Sequence, residues 1–404
     1  MEATAPAAEQ RELSSFTLSS YDTSFMPQSW TSFLDQSLHR TAEAGRTRVR
    51  RPLDLAGLID FGSNDYLGLR SHPEVLAALN LGSHLPEARW GAGASPVLSG
   101  YSDQHANLES ALAEFCSSPT ALVFSSGFAC HAGTVACLVG PGDLILSDQL
   151  NHASLIDGCR LSRASTVIYP HADSDFVRDY LQQHRHQYDK VLLLSESIFS
   201  MDGDAAPLSN LSQLAQQYDV GLVVDEAHAV GVYGQRGGGL LEELQLQTQV
   251  LAKLGTLSKA LGCVGGYVAG DEKLIGYLVN HCRSYLFSTA APGLGLLVAL
   301  RALQLLVNMQ DERQLLRCTA RRLRERLDGL GLASSVGDSP IIPIVVGSES
   351  RAVALSRRLW ERGIYVPAIR PPTVPAGTCR LRVSLSISHT SEHIDQLVNA
   401  LTES

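Results

Sequence analysis

The chain has 404 residues, of which 45% are hydrophobic, and a formal net charge of −9 at pH 7. This length allows two or three domains, and the acidic balance argues against nucleic-acid or membrane partners, because both need clustered Lys and Arg. The sequence has no apolar run of about 18 residues and no secretory signal, so we expect a cytoplasmic protein. Its eight cysteines include no CxxC pair and are expected to be reduced thiols. Its partners are expected to be small molecules.

The N-terminal part is predicted to be a tail followed by a helix. Residues 1–28 are rich in Ala, Ser, Thr, Glu and Gln, which leaves too little burial to offset the entropy of ordering them. From about Trp30 to Arg51, apolar residues recur at helical spacing and run into a basic segment. We therefore assign residues 1–28 to a flexible tail and residues 29–60 to an N-terminal helix segment.

Residues 61–292 are predicted to form a large α/β domain. Apolar runs at 121–124, 143–146, 166–169, 191–195, 221–224 and 266–269 alternate with helical segments and Gly-rich turns. This alternation is typical of a mostly parallel sheet with helices on both faces. Ligands in such sheets bind outside the carboxyl ends of the strands, so the site residues are expected directly after these runs.

The remaining residues, 293–404, are predicted to form a smaller α+β domain. Two helical stretches, 294–307 and 312–330, precede three β-like runs at 341–346, 365–367 and 381–386. This order of elements indicates a unit separate from the alternating part before it.

Asp225 ends an apolar strand, and Glu226 and His228 follow it closely. A buried carboxylate needs a positive partner, and the ring nitrogen of pyridoxal phosphate is one, because a carboxylate beside it favours the protonated ring. A helix cap or a magnesium ligand of an ATPase explains the same pattern, although no GxxxxGK[ST] loop precedes it.

Lys259 lies among small and hydroxyl-bearing residues in the segment 255–262. Most lysines are exposed, whereas a crowded pocket lowers the pKa of a lysine and permits imine formation at neutral pH. Thr256 and Ser258 are candidates for a phosphate. Upstream, Ser125-Ser126-Gly127-Phe128 has the form of a strand, a turn and a helix start, which can hold a phosphate; a plain helix cap is the alternative.

Three further polar residues follow or interrupt apolar segments. His152, in the segment 148–154, offers an imidazole that can stack on an aromatic ring. Asn64 belongs to a polar turn, and Arg370 precedes two prolines. The planar fork of arginine suits a carboxylate, while an ordinary surface role explains an arginine in such a loop equally well.

Together these segments resemble the α-oxoamine synthases, from about Trp30 to the C-terminus. The motifs that carry the resemblance are FGSNDYLGL (61–69), GAGASPVLSGYSDQHANLE (91–109), SSGF (125–128), DQLNHASLIDG (148–158), ESIFSMDGD (196–204), VVDEAHAVGVYG (223–234), GTLSKALG (255–262), FSTAAP (287–292) and RPPTVPAGTCRLRVSLSISHT (370–390). Several collinear motifs of this length make chance similarity negligible.

The resemblance implies an α/β protein of the PLP-dependent transferase fold type I, with a central, mostly parallel sheet of the seven-stranded type, and pyridoxal 5′-phosphate as cofactor. For the cofactor, it implies Lys259 as Schiff-base lysine and proton-transfer group, Asp225 at the ring nitrogen, His152 stacked on the ring, His228 and Ser200 at the phenolic oxygen, and Gly127, Phe128 and Thr256 on the phosphate side. Ser288 and Thr289 would contact the cofactor phosphate of a neighbouring subunit. For the substrates, it implies Arg370 at the amino-acid carboxylate, Asn64 and Thr373 near the substrate, and Arg48, or nearly as well Arg50, at the acyl substrate. No metal is expected.

The reaction implied is the condensation of an amino acid with an acyl thioester, carried on coenzyme A or on a carrier protein, by a homodimer with shared active sites. The segment 370–382 favours the branch of the family that uses L-alanine over branches that use glycine or serine. One departure is Ala129-Cys130-His131, where the family more often has small residues and an asparagine; it is expected to alter packing and not chemistry. A non-catalytic partner subunit is the alternative from a different class, and the retention of Lys259 argues against it.

Overall fold

The structure is a computed structural model that describes residues 26–48, 50, 57–83, 91–332 and 337–402. Most of the predicted tail lies outside these residues. The chain divides into two compact units, residues 1–52 and residues 53–404. The boundary predicted at residue 292 falls inside the second unit and stays a prediction.

The described residues form fourteen α-helices and twelve strands, numbered here in chain order. The helices are α1 (Gln28–Glu43), α2 (Pro73–Ser83), α3 (Asp103–Phe115), α4 (Gly127–Leu138), α5 (Ala153–Ser162), α6 (Ser174–His184), α7 (Leu208–Gln217), α8 (Leu240–Glu243), α9 (Glu272–His281), α10 (Arg283–Leu286), α11 (Gly293–Leu306), α12 (Gln310–Asp328), α13 (Glu349–Glu361) and α14 (Ser391–Thr402). The strands are β1 (Ile59–Asp60), β2 (Thr120–Phe124), β3 (Leu144–Asp148), β4 (Ser165–Tyr169), β5 (Val191–Glu196), β6 (Gly221–Asp225), β7 (Ala252–Thr256), β8 (Gly266–Gly270), β9 (Ile341–Gly347), β10 (Ile364–Tyr365), β11 (Ala368–Ile369) and β12 (Cys379–Ser384).

The N-terminal helix is shorter than the sequence predicts. It ends at Glu43, well before Arg51, because Gly45 adopts a left-handed backbone with φ of 64°. The amides of Gly45 and Arg46 then bond back to carbonyls of the last helical turn, which terminates a helix in the way that glycine favours. The basic run therefore lies beyond the helix.

The seven-stranded, mostly parallel sheet that the family resemblance implies is confirmed. Its strand order is β2-β8-β7-β6-β5-β3-β4. All neighbours pair in parallel except β8, which is antiparallel to both β2 and β7. The carboxyl ends of β3, β5, β6 and β7 consequently lie at one edge of the sheet.

Most of the inner strands read as continuous apolar runs because both faces of the sheet are covered. In β5, Val191 and Leu193 belong to one hydrophobic cluster, whereas Leu192 and Leu194 belong to a second cluster on the other face. Side chains alternate between the faces of a strand, so β5 contributes to both cores. The edge strand β4 is the exception, with most of its residues exposed or half-buried.

One strand of this sheet is missing from the sequence-based prediction. The strand β7 has the sequence AKLGT, in which a lysine and a glycine interrupt the apolar run. Lys253 is only 2% exposed, and its ammonium donates to the carbonyl of Gly238. A buried hydrogen-bonded lysine is rare, so the pattern of β7 did not indicate a strand.

The C-terminal residues form a three-stranded antiparallel sheet in the order β11-β12-β9. The short strand β1 pairs in parallel with β10, joining Ile59 to Ile364. Of the predicted run at 365–367, only Tyr365 lies in a strand, β10; Val366 and Pro367 separate β10 from β11. Within the described part of the chain, no single helix is long and apolar enough to cross a membrane; α11 and α12 meet that test only as a pair bent by 78°.

Candidate active site

Three strands end in polar residues at the same edge of the large sheet. Glu196 ends β5, Asp225 ends β6 and Thr256 ends β7. Glu196 and Asp225 are direct neighbours in the strand register, and the amide of Ser197 donates to the carbonyl of Asp225 at 2.8 Å. Polar residues thus end these three strands at the edge of the sheet where the sequence predicts the site.

Asp225 is buried and lies against the imidazole of His131. Its Oδ2 lies 3.0 Å from Nδ1 of His131, and its Oδ1 accepts from the amide of Ala227 at 2.8 Å. Burial alone would raise the pKa of Asp225, but His131 and Lys259 hold that pKa below its usual range. Asp225 therefore carries a negative charge, which suits it to a protonated ring nitrogen.

Lys259 follows β7 and is half-buried. Desolvation lowers the pKa of this lysine to about 8, although the charges of Asp225 and Glu196 oppose that shift. A lysine with such a pKa has a substantial neutral fraction near pH 7 and can attack a carbonyl. The lysine that the sequence predicts to form an imine thus has a lowered pKa.

We expect the chemical reactivity of Lys259 to report this tuning directly. The chain has four lysines, at positions 190, 253, 259 and 273, so each is separable by peptide mass spectrometry. Brief reductive methylation of the apoprotein between pH 6 and pH 10 should modify Lys259 with a midpoint of about 8. Lys273, which is exposed, is the control; an identical pH profile for both lysines would contradict the assignment.

A phosphate-sized cradle lies where α4 begins. Ser126 caps this helix by accepting from the amide of Ala129 at 3.1 Å, and the first amides of a helix have no intrahelical acceptor. A Cβ on Gly127 would lie only 3.0 Å from Oγ1 of Thr256, whose hydroxyl is 2.8 Å from that of Ser258. Gly127, Thr256 and Ser258 thus come together, as predicted for a phosphate.

His152 stands at the start of α5 with its ring accessible to solvent. Its loop is fixed by Asn151, whose side chain donates to the carbonyl of Leu194 at 3.1 Å and accepts from the amide of Glu196 at 3.1 Å. Desolvation lowers the pKa of His152, which keeps the imidazole neutral. Its ring lies 6.4 Å from that of Phe128, so it borders the cradle and is available to a planar ligand.

His228 is buried and neutral. Its Nδ1 is 2.7 Å from the hydroxyl of Tyr66, whose pKa burial raises to about 12. Burial, together with the charges of Lys259 and Arg382, lowers the pKa of His228 well below its usual range. The sequence did not single out Tyr66, although it lies in the same polar turn as Asn64.

Arg382 is a buried cation that sequence reasoning missed. It is 4% exposed, its Nε donates to the carbonyl of Ser200 at 2.6 Å, and its Nη1 donates to Oδ1 of Asn64 at 3.0 Å. Its Nη2 has no hydrogen-bond partner within the described part of the chain. Two arginines alternating in the apolar strand β12 were the available signal, since a strand buried on both faces seldom carries charge.

Glu196 was also overlooked. It is 2% exposed, and burial and the neighbouring charge of Asp225 raise its pKa well above the usual range. Its Oε1 has no hydrogen-bond partner among the described residues. This oxygen is consequently available to a ligand that fills the site.

Other predicted residues are not tested by this arrangement. Arg370 directly follows β11, and its carbonyl accepts from the amide of the exposed Thr373 at 3.1 Å. Ser288 is half-buried and Thr289 exposed, as a contact with a neighbouring subunit requires. Arg48 lies in the first unit and is exposed. These assignments stay predictions.

His171 links the two loops that carry His152 and Ser200. Its Nδ1 is 3.0 Å from Asp148, which ends β3, and its Nε2 is 2.7 Å from Asp204. Burial alone would lower its pKa, but the bonds to both carboxylates raise the pKa of His171 to about 10. The His171 imidazolium, bonded to Asp148 and Asp204, therefore holds these two loops together at the edge of the site.

Replacing His171 with glutamine is expected to destabilise the protein by roughly 1–3 kcal/mol, between the values for exposed and fully buried ion pairs. The folded-state pKa of about 10 exceeds the ordinary value near 6.5, so the contribution is complete below about pH 6.5 and disappears as the pH rises through 10. The difference in melting temperature between wild type and variant should shrink over that range. His186→Gln, on an exposed residue, is the control, and a difference independent of pH would refute the charged bridge.

The residues present fit pyridoxal phosphate. The cradle at α4 suits its phosphate, Asp225 its ring nitrogen, His152 its ring face and Lys259 its aldehyde. The unpartnered polar atoms of Glu196 and Arg382 lie buried in the same site, and such atoms are costly unless a ligand satisfies them.

Comparison with known proteins agrees with this arrangement. Residues 56–401 match the family model described as aminotransferase class I and II. The chain is 43% identical over 358 residues to 8-amino-7-oxononanoate synthase of Methylococcus capsulatus, covering 88% of this chain and 91% of that protein. It is 44% identical over 350 residues to the enzyme of the same name from Pseudomonas aeruginosa, covering 86% of each.

Solved structures show the same fold. Serine palmitoyltransferase from Sphingomonas wittichii superposes with a TM-score of 0.85 and 30% identity, covering 93% of this chain and 97% of that one. 8-Amino-7-oxononanoate synthase from Francisella tularensis superposes with a TM-score of 0.72 and 31% identity, covering 86% of this chain and 97% of that one. The fold type predicted from the sequence is confirmed.

Proposed function

The chain belongs to the aminotransferase class I and II family, and we propose that it catalyses the reaction for which its relatives are named. This reaction is the decarboxylative condensation of L-alanine with a pimeloyl thioester, which yields 8-amino-7-oxononanoate, carbon dioxide and the free thiol, a step of biotin biosynthesis. The observation that carries the proposal is the placement of Lys259, with a pKa of about 8, beside the charged Asp225.

Pyridoxal phosphate would be held by the residues already described. Lys259 would bind it covalently, Asp225 would pair with its ring nitrogen, and Gly127, Phe128 and Thr256 would hold its phosphate. His152 would cover the ring, and His228 and Ser200 would lie at its phenolic oxygen. When bound, the cofactor supplies an electron sink for the carbanion that forms at the α-carbon of the amino acid.

The protein's own residues bind and orient the amino acid and move its protons. The guanidinium of Arg370, expected from the sequence, and that of Arg382 are two candidates for the substrate carboxylate. With the carboxylate fixed, the Cα–H bond is directed to the amine of Lys259, which removes the proton and later returns one after carbon dioxide has left. Asn64 orients Arg382 through a 3.0 Å hydrogen bond.

The partners follow from this reaction. L-Alanine and a pimeloyl group carried on coenzyme A or on a carrier protein are the proposed substrates, and Arg48 is the proposed contact to the acyl part. A homodimer is proposed in which Ser288 and Thr289 reach the partner's phosphate site. The cytoplasm, where such thioesters occur, is the proposed location.

Other α-oxoamine synthases are the alternative within the family. Glycine C-acetyltransferase, 5-aminolevulinate synthase and serine palmitoyltransferase use the same lysine, aspartate and histidine. The high structural similarity to serine palmitoyltransferase makes this comparison necessary. The segment 370–382 and the identity to relatives named 8-amino-7-oxononanoate synthase favour alanine.

The test is substrate-dependent release of thiol by the purified protein. Loaded protein should show a visible absorbance band from the lysine-bound cofactor and should release coenzyme A with L-alanine and pimeloyl-CoA. Glycine with acetyl-CoA, and serine with palmitoyl-CoA, are the comparisons. Turnover of one of these pairs alone would keep the reaction type and replace the substrate; no band after addition of the cofactor would refute the proposal.

The two candidate arginines are expected to separate by kinetics. Lysine keeps the charge but loses the planar fork, so Arg382→Lys should raise the KM for L-alanine by about 10–100-fold if its free Nη2 binds the carboxylate, on the scale of a charge-assisted hydrogen bond. Arg370→Lys is the matched variant. A rise in KM only for Arg370→Lys would assign the carboxylate to Arg370, as expected from the sequence.

A further inference from the structure

We propose that His131 is a positioning residue of the active site, which holds the carboxylate of Asp225 and, through Ser154, sets the tautomer of His152. This inference deepens the proposed function and rests on it. His131 belongs to the segment Ala129-Cys130-His131, where the sequence departs from the family pattern. The sequence led us to expect a change in packing there, whereas this inference assigns His131 a role in the active site.

The hydrogen-bond partners of His131 determine its protonation state. Its Nδ1 lies 3.0 Å from Oδ2 of the ionised Asp225, and its Nε2 lies 3.4 Å from the carbonyl of Gly255. A carboxylate and a carbonyl can only accept, so both ring nitrogens carry hydrogen. His131 is therefore a buried imidazolium, at 4% exposure, and Asp225 is its counterion.

The same reasoning extends to His152. The hydroxyl of Ser154 lies 2.7 Å from Nδ1 of His152 and 3.4 Å from Nδ1 of His131. Because Nδ1 of His131 already carries hydrogen, the Ser154 hydroxyl donates to His152, and the Ser154 amide donates to the same atom at 3.2 Å. Nδ1 of His152 thus accepts twice, and the proton of this neutral ring is on Nε2.

Close packing of two helices brings these groups together. Gly158 on α5 has no room for a side chain, since a Cβ there would lie 2.7 Å from Cβ of Val135 on α4. With a glycine at this position, α5 approaches α4 closely enough for Ser154 to reach His131. The other titratable groups around the pair are Lys259, Glu196 and the thiol of Cys130.

The role of His131 differs from that of a neutral asparagine. An asparagine amide can donate to Asp225 but supplies no charge, whereas the imidazolium offsets the negative charge of Asp225 before the cofactor arrives. His131 thus allows a charged, oriented carboxylate to persist in the empty site, which avoids the cost of an uncompensated buried ion.

The first measurement is made on apoprotein labelled with ¹⁵N-histidine, where the cofactor and turnover play no part. At pH 7 the His131 signals should be those of an imidazolium, and the His152 signals those of a neutral ring protonated on Nε2. The variants His131→Asn and Ser154→Ala identify the resonances among the 13 histidines. In Ser154→Ala the ¹⁵N signal of His152 Nδ1 should shift while His131 remains charged. A neutral His131 in the wild type would overturn the proposal.

The second measurement is the dissociation constant of pyridoxal phosphate. His131→Leu removes the hydrogen bond and the charge and should weaken binding by about tenfold or more, while His131→Asn, which keeps a donor, should remain within about threefold of wild type. His105→Leu, at another buried histidine, is the control. Wild-type affinity in His131→Leu would overturn the proposal. If this variant does not fold, the ¹⁵N-histidine spectrum of the wild-type apoprotein still tests the proposal. Absence of alanine turnover in a protein that passes both tests would refute the proposed function alone.

Discussion

Replacing Lys259 with alanine is expected to lower turnover by about 10³-fold or more, because the change removes both the covalent attachment of the cofactor and the group that moves the α-proton. The variant should lose the visible absorbance band. It should still bind pyridoxal phosphate without a covalent bond, since Asp225 and the cradle at α4 remain. Activity is measured by thiol release with L-alanine and pimeloyl-CoA.

The small number of lysines makes this experiment decisive. Borohydride treatment of the loaded wild type should attach the cofactor to the peptide that contains Lys259 and to no other of the four lysines. Lys190 is engaged with Asp143 at 2.7 Å, and Lys253 is buried against Gly238. Lys273→Ala, at an exposed position, is the control for turnover. Substantial activity in Lys259→Ala would show that another group moves the proton.

The sheet and the main site residues could be predicted because they obey local rules. Strands covered on both faces give unbroken apolar runs, and Asp225 and Lys259 stand out as polar residues at the ends of such runs or among small neighbours. The strand β7 could not be recognised, because Lys253 is satisfied by a carbonyl that is 15 residues away in sequence. A long-range hydrogen bond leaves no periodic signal.

The residues that were missed act through contacts between distant segments. Arg382 is joined to Asn64 across 318 residues, and His131 on α4 reaches Asp225 and Gly255, which lie about 90 residues or more further along the chain. The sequence marked His131 only as an unusual residue. Its proposed charge follows from two acceptors, Asp225 and Gly255, whose positions the fold decides, so a packing role was the interpretation that the sequence permitted.

Replacing Asp225 with asparagine is expected to lower turnover by about 10²–10³-fold, on the scale of removing one preorganised electrostatic partner. The shape of the side chain is kept, but the ring nitrogen loses the charge that favours its protonated form. The apoprotein should also become less stable, because His131 must then bury an unpaired cation or give up its proton.

The double variant Asp225→Asn with His131→Asn separates the two effects of Asp225. Thermal melting of the apoprotein should recover most of the loss seen in Asp225→Asn, since no buried charge is left without a partner. Turnover should stay low, because the carboxylate that faces the ring nitrogen is still absent. Equal melting temperatures for wild type and Asp225→Asn would show that the 3.0 Å pair contributes no stability; recovery of activity in the double variant would show that Asp225 serves only to neutralise His131.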